Sequence, residues 1–441
     1  MGDQQHKLAD GLEGAASALS VPTATHSDPA AAGLLHYLGY DDGDAAKSDG
    51  RVRMLRAAAQ FRRLFRLSAP DAPGLVFFGG EADPAVLGAA SQGLPSASLA
   101  GSGLSPQKAF ESCVGEGIEY LSQFVQPGDA SEQGTLADYG EGLDPPARDF
   151  VAGILAHGGL EAARPLTWVP CSRLTDGAGM WFPRDLCYRR SATEQDFKPP
   201  LKLSSGCAAG PTREDATLRG LLELIERDAV ALWWRGGRRG GPVAPDAVAA
   251  TDALLAQLRQ GGAKRKTRLL DITTDVGVPA VTAISTDADG ASLALGFGAR
   301  LTLVEAARAA VFELCQVELG LHVVAAKRQE AGDGALNESD RRQLRRAALD
   351  IGTCALLQPE NRPCAGPAPA STLQQALERL QACDIVAYAI DLTRPQFDVP
   401  VVRVLAPGLQ LDPCDVSGAR LVRTIAETGG GAQHHGGLSL F

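Results

Sequence analysis

Three stretches of this 441-residue chain share one layout: KAFESCVGEGIEYLSQF, DATLRGLLELIERDAVA and EAARAAVFELCQVELGL. Aligned on Glu116, Glu223 and Glu313, each has an alanine seven residues earlier (Ala109, Ala216, Ala306) and a small residue three earlier (Cys113, Gly220, Ala310). Three residues later each has a second carbonyl-bearing side chain: Glu119, Glu226 and Gln316. At roughly 100° per residue, the four positions fall on one helical face about 120° wide. Each helix therefore shows a stripe of small side chains ending in two oxygen donors one turn apart. Little else on these helices is polar. The third carries Val304, Ala306, Ala307, Ala309, Ala310, Val311, Phe312, Leu314, Cys315, Val317 and Leu319.

A single Glu-x-x-Glu on a helix is usually a wet face, where like charges cost only about a few tenths of a kcal/mol. A carboxylate buried alone among apolar side chains instead costs several kcal/mol or takes up a proton. Three such pairs on three apolar helices call for something cationic between them. Carboxylates and an amide oxygen are hard donors of the kind Mg²⁺ takes, usually with waters and phosphate oxygens completing its shell.

The rest of the chain narrows the setting. A formal charge of -10 argues against nucleic acid or an anionic membrane held by bulk electrostatics. The basic run GGAKRKTRLLD reads as a solvated loop before a strand. No signal peptide and no uninterrupted apolar run of about 18 residues is found. Nine scattered cysteines without a C-x-x-C pair fit a reducing compartment, so a cytoplasmic protein is expected. There is no G-x-x-x-x-G-K-[ST] loop for phosphates, and the seven histidines form no H-E-x-x-H motif.

Helix and strand signals alternate from GLVFFGG (74–80) onward, which predicts an α+β (mixed α/β) fold. Residues 1–73 read as an N-terminal helical segment, poorly ordered at its start. Residues 74–425 read as the catalytic domain, and 426–441 as a flexible glycine-rich tail. QPENRPCAGPAPAS (358–371) reads as an exposed loop.

The segments SSGCAAGPTREDATLRGLLELIERDAVALWW, GSGLSPQKAFESCVGEGIEY and DLTRPQFDVPVVRVLAPGL resemble the YcaO family over roughly residues 75–425. The resemblance implies an ATP- and Mg²⁺-binding fold in which acidic helices replace the phosphate loop. It implies metal and nucleotide roles for Glu116, Glu119, Glu223, Glu226 and Glu313, and nucleotide contacts for Ser112, Ser204, Gly206, Gly210, Arg227 and Gln316. Arg403 is a candidate at the nucleotide or substrate end, and His435 is a candidate catalytic group in the tail.

Members use ATP to activate a peptide amide oxygen. The stretch RPLTWVPCSRLTDGAGMWFPRDLCYRR resembles the azoline-forming cyclodehydratases. Thiazolines or oxazolines made from Cys, Ser or Thr of a ribosomal precursor peptide are thus the first expectation. Thioamide or amidine formation is the second, and a non-catalytic scaffold the third. The implied partners are the precursor peptide and a separate leader-binding protein, ubiquitin-activating-like or winged-helix. A flavin-dependent azoline dehydrogenase and a second copy of the chain are further expected partners.

Three departures stand out. Ser102 occupies a turn where the family usually has lysine, and Tyr120 a position where it often has arginine. No proline-rich C-terminal tail is present after Pro413.

Overall fold

The structure, a computed structural model, describes residues 2–20, 28–88, 91, 93–262, 265–360 and 372–440. Three helices open the chain: α1 (Gly2–Ser20), α2 (Pro29–Leu38) and α3 (Ala45–Ala59). β1 (Arg63–Leu67), β2 (Val76–Ala82) and β3 (Ala97–Gly103) form a first antiparallel sheet, followed by α4 (Pro106–Ser122). Next come β4 (Glu132–Gly134), α5 (Leu136–Gly140), α6 (Pro145–His157), β5 (Leu166–Arg173), β6 (Gly179–Pro183) and β7 (Cys207–Ala209), then α7 (Arg213–Trp234).

After α8 (Pro245–Arg259), strands β8 (Lys266–Asp271), β9 (Ala280–Thr286) and β10 (Ala294–Ala299) make a second antiparallel sheet, followed by α9 (Leu303–Ala331). The chain ends with α10 (Glu338–Ala347), α11 (Leu373–Gln381), β11 (Tyr388–Asp391), β12 (Val401–Leu405), α12 (Ala419–Thr428) and α13 (Ala432–His435). The third sheet runs β4-β5-β11-β12-β7, with β6 paired to β5.

The expected α+β fold is present, and its organising feature is a threefold repeat longer than the helices alone suggest. β3, β7 and β10 are each the terminal strand of their sheet, and each leads by a short turn into α4, α7 or α9. Each of these helices starts on a hydroxyl cap eleven residues before its first acid. Ser105, Thr212 and Thr302 accept hydrogen bonds from the N–H of Lys108, Asp215 and Glu305.

The small-residue stripe explains how closely helix and strand approach. A Cβ on Gly101 of β3 would lie 2.3 Å from the Ala109 carbonyl oxygen and 2.2 Å from the Cys113 nitrogen. A Cβ on Gly296 of β10 would meet Ala310 and Leu314 at the same distances. The helix backbones thus rest almost directly on the strands, with one main core under α4 and α7 and a second between α8 and α9.

Several expected boundaries shift. β1 lies on the N-terminal side of residue 73 yet pairs with β2, and Leu12, Leu35 and Tyr40 share the main core with Phe110 of α4. β1 and the described side chains of α1 from Leu8 onward thus share a sheet and a core with the elements that follow. The tail 426–440 is docked as well: Trp234 Nε1 donates to the Leu438 carbonyl at 2.6 Å, and Leu440 is buried.

Within the basic run, Arg265 is buried against Glu318, which also pairs with Arg259 and accepts from Ser285 at 2.6 Å. That network neutralises an acid inside the second core. Most of the 358–371 stretch lies outside the described residues. Helix α9 is long and apolar enough to cross a membrane, but here its stripe from Ala306 to Leu319 lines the second core. The eight described cysteines are unpaired, and seven of them are buried.

Replacing Gly296 with alanine is predicted to destabilise the fold by about 2 kcal/mol or more through overpacking. Gly115→Ala, on the same kind of helix but with open space around it, is predicted to be neutral or slightly stabilising. Paired thermal melts check both, and equal melting temperatures would show that the strand–helix contact does not limit stability.

Candidate functional site

Each first acid bonds to the strand that precedes its own helix or, for Glu223, to the turn leading into that strand. Glu116 Oε2 accepts from the Ala100 N–H at 2.6 Å, Glu223 Oε2 from the Gly206 N–H at 3.1 Å, and Glu313 Oε2 from the Phe297 N–H at 2.5 Å. Each second donor bonds to the strand of the next unit. Glu119 Oε1 accepts from Ala209 N–H at 2.7 Å and Glu226 Oε2 from Ala299 N–H at 3.2 Å, while Gln316 Nε2 donates to Ser102 Oγ at 2.7 Å. The links run α4 to β7, α7 to β10 and α9 back to β3, closing a circuit.

A terminal strand carries N–H groups that no neighbouring strand takes up, and buried N–H groups need acceptors. Carboxylates supply them here. Each strand bond uses one oxygen of its carboxylate, which orients the group and leaves the second oxygen outside that bond.

The six side chains thus sit on one linked circuit, and the electrostatics show how closely the acids sense one another. Burial, followed by the charges of Glu223 and Glu116, pushes the Glu119 carboxyl up to about 8. Burial, followed by Glu226, pushes Glu313 up to about 7. Burial likewise raises Glu226 and Glu116. Glu116 keeps exposed surface, yet the protein packed around it still raises its carboxyl. Glu223 is the common neighbour: its charge bears on Glu116 and Glu119 on one side and on Glu226 and Glu313 on the other. Arg227 lies beside the second half, 3.4 Å from Glu223 Oε1 and 3.8 Å from Glu226 Oε1, and its charge also bears on Glu313.

Among the described residues no three acids converge as a ready-made cage for an ion. This fits Mg²⁺, which is typically held by one or two carboxylates together with waters and substrate phosphates. Hard oxygen donors kept ionisable, pre-oriented and close to one arginine suit a metal–triphosphate group. Glu116, Glu119, Glu223, Glu226 and Glu313 would hold Mg²⁺, one or two carboxylates to each ion, and Gln316 would add an amide oxygen.

The remaining candidates divide. Gly206 takes a left-handed φ of 79° that glycine accepts without strain, and it presents its N–H to Glu223 while its carbonyl accepts from Val404. Gly210 packs on the first turn of α7, where a Cβ would lie 2.5 Å from the Ala216 nitrogen. Ser204 is half-buried in the turn before β7, and Ser112 is exposed on α4 one turn before Glu116.

Arg403 is placed differently from its expected role. It is fully buried on β12, and its guanidinium donates to the carbonyls of Leu186 and Leu203, so it braces the loop before β7. His435 is also not at the site. Its imidazole stacks on Trp234 with centroids 4.2 Å apart and planes 4° apart, its Nε2 is 3.0 Å from the Trp234 carbonyl, and burial lowers its pKa. It anchors the tail to α7.

Two cations beside the acids escaped the sequence reading. Lys202 carries a lowered pKa, from burial first and from Arg227 second, and it also senses Glu223. Its charge in turn bears on Glu116. Arg189 lies over the Tyr120 ring at 5.3 Å and donates to Gln123 at 2.8 Å. Both line an open cleft of about 490 Å³, together with Phe197, Lys198 and Leu201. Neither sits in a spaced motif, so only the juxtaposition of the 184–203 loop with α4 could have found them.

The raised carboxyls predict how the site responds to pH. Mg²⁺ must displace their protons, so its affinity, measured by calorimetry with a non-hydrolysable ATP analogue, falls as pH drops through about 8 and then about 7. The unliganded fold responds in the opposite sense. It holds protons that unfolded glutamates release, so its stability falls as pH rises from the ordinary carboxylate range toward about 8. A Mg²⁺ affinity flat across this window would remove these acids from the metal site.

Comparison with known proteins supplies the family. Residues 100–410 match the family model of the YcaO cyclodehydratases, described as ATP- and Mg²⁺-binding. An uncharacterized protein of Methanothermobacter thermautotrophicus is 27% identical over 336 residues, 72% of this chain and 82% of that protein. Among solved structures, a heterocyclase in complex with substrate and cofactor superposes with a TM-score of 0.67 at 24% identity. That match covers 84% of this chain, which spans only about half (52%) of the heterocyclase. YcaO from Methanopyrus kandleri, bound with AMPPCP and Mg²⁺, superposes with a TM-score of 0.57 at 20% identity, covering 82% of this chain and 89% of that one. This chain belongs to the YcaO family, with ATP and Mg²⁺ as its cofactors.

Proposed function

We propose that the chain activates backbone amides of a ribosomally made precursor peptide, so that Cys, Ser or Thr side chains close onto the preceding carbonyl as thiazolines or oxazolines. The observation supporting this is the closed circuit of five carboxylates and one amide, each already oriented by a hydrogen bond with a strand or the turn before it. Bound ATP supplies the phosphoryl group that converts the amide oxygen into a leaving group, and Mg²⁺ neutralises its charge. Such transfer needs alignment and charge neutralisation from the protein more than covalent chemistry.

The chain's own residues would divide that work. Glu116 and Glu119 hold one side of the metal–phosphate group and Glu226 and Glu313 the other, with Glu223 shared between them. Arg227 is positioned to meet phosphate oxygens with its planar fork. The nucleophile belongs to the peptide, which is why no Ser–His–Asp set is required. A separate leader-binding protein would deliver the precursor, a flavin enzyme would oxidise azolines to azoles, and a homodimer remains part of the proposal.

A second reading, thioamide or amidine formation, draws support from the tail. It is pinned to α7 through His435, Leu438 and Trp234. Weighing a candidate precursor after incubation with ATP and Mg²⁺ separates the readings. Loss of one water per modified residue means cyclodehydration, and sulfur in place of oxygen means a thioamide. An unchanged peptide would leave only a binding scaffold.

Glu223→Gln is predicted to lower ATP turnover by about 100-fold or more while leaving a cooperative melt. Turnover at the native rate in that variant would dismiss the site. His435→Phe, which preserves the stack, should leave turnover within about twofold, and a collapse of turnover would return the imidazole to the chemistry.

A further inference from the structure

Two junctions of the circuit share one chemistry, and the third differs from both. At the first two, a strand N–H donates to a carboxylate: Ala209 to Glu119 and Ala299 to Glu226. At the third, the side chain on the helix is the amide of Gln316, and the strand partner is a hydroxyl, Ser102 Oγ. Ser102 holds the equivalent strand position. It follows Ala100, the partner of Glu116, by two residues, just as Ala299 follows Phe297, the partner of Glu313.

The exchange has a chemical reason. A carboxylate has two equivalent acceptor ends, so a strand N–H can take one and leave the other. An amide has one acceptor end and one donor end. An N–H from the strand would take the Gln316 oxygen and turn its –NH₂ toward the cation. A hydroxyl that accepts from Nε2 keeps the oxygen on the far side of the amide.

On this basis, and resting on the assignment of the site to ATP and Mg²⁺, we propose that Ser102 is a positioning residue. By accepting from Nε2, its hydroxyl holds the Gln316 amide with Oε1 on the far side, free for the metal–triphosphate group. Its contribution is then realised only through Gln316. Partners that orient a metal-site side chain typically alter affinity by about 10- to 100-fold when removed.

The test is the affinity for a non-hydrolysable ATP analogue, measured by calorimetry across Mg²⁺ concentrations, with thermal melts as a folding control. Wild type, S102A, S102T, Q316A and the S102A/Q316A double variant are compared. S102A is expected to weaken Mg²⁺-dependent binding about tenfold, and S102T, which keeps the hydroxyl, should restore it. In the Q316A background, S102A should add nothing, because its only route of action is already gone. Unchanged binding in S102A, or losses that add in the double variant, would overturn the role of Ser102. Failure of the wild type to bind the analogue with Mg²⁺ would instead overturn the site assignment, and this proposal with it.

Discussion

Carboxylate side chains accepting hydrogen bonds from terminal-strand N–H groups hold this structure and its site in a single arrangement. Four such bonds, a fifth from the Gly206 N–H in the turn before β7, and one amide–hydroxyl bond tie α4, α7 and α9 to three sheets that otherwise end on open edges. A strand edge left unpaired in the interior is costly, and so is a carboxylate without a partner. Bringing the two together offsets both costs. The same bonds orient the carboxylates, so the features that close the fold also prepare the site. The small residues are part of this arrangement, since Gly101 and Gly296 let the helix backbones come near enough for the glutamates to reach.

The arrangement keeps some of its electrostatic cost. Burial and mutual repulsion raise Glu116, Glu119, Glu226 and Glu313 above the usual carboxylate range, and Arg227 offsets only part of this. A site of this kind favours occupation by cations, whose charge restores the ionised state. The protein supplies most of the donors and little of the geometry around the ion, so phosphate and water would complete the shell. This division explains how a chain without a glycine-rich phosphate loop can belong to an ATP-binding family.

The acids were legible in the sequence because a 3.6-residue period fixes which side chains share a helix face. Their alanine and small-residue companions marked the face that must pack closely. The hydroxyl caps at Ser105, Thr212 and Thr302 lay at the same offset and extend the pattern beyond the helices. Arg403 and His435 were misleading for a physical reason. A conspicuous polar residue in a strand or tail has no periodicity to say which way it faces, and here each is spent on backbone carbonyls and packing. Lys202 and Arg189 were invisible for the converse reason, being ordinary loop residues made important by a neighbour remote in sequence.

The sequence by itself determined the three helices, their oxygen donors and their demand for a cation, because those follow from local periodicity and the cost of burying charge. Tertiary structure alone decided which backbone each donor reaches: that leading into its own helix for Glu116, Glu223 and Glu313, and the next strand for Glu119, Glu226 and Gln316. That choice depends on how three sheets meet at their edges, a relation between residues as far apart as Ser102 and Gln316 that no local pattern encodes.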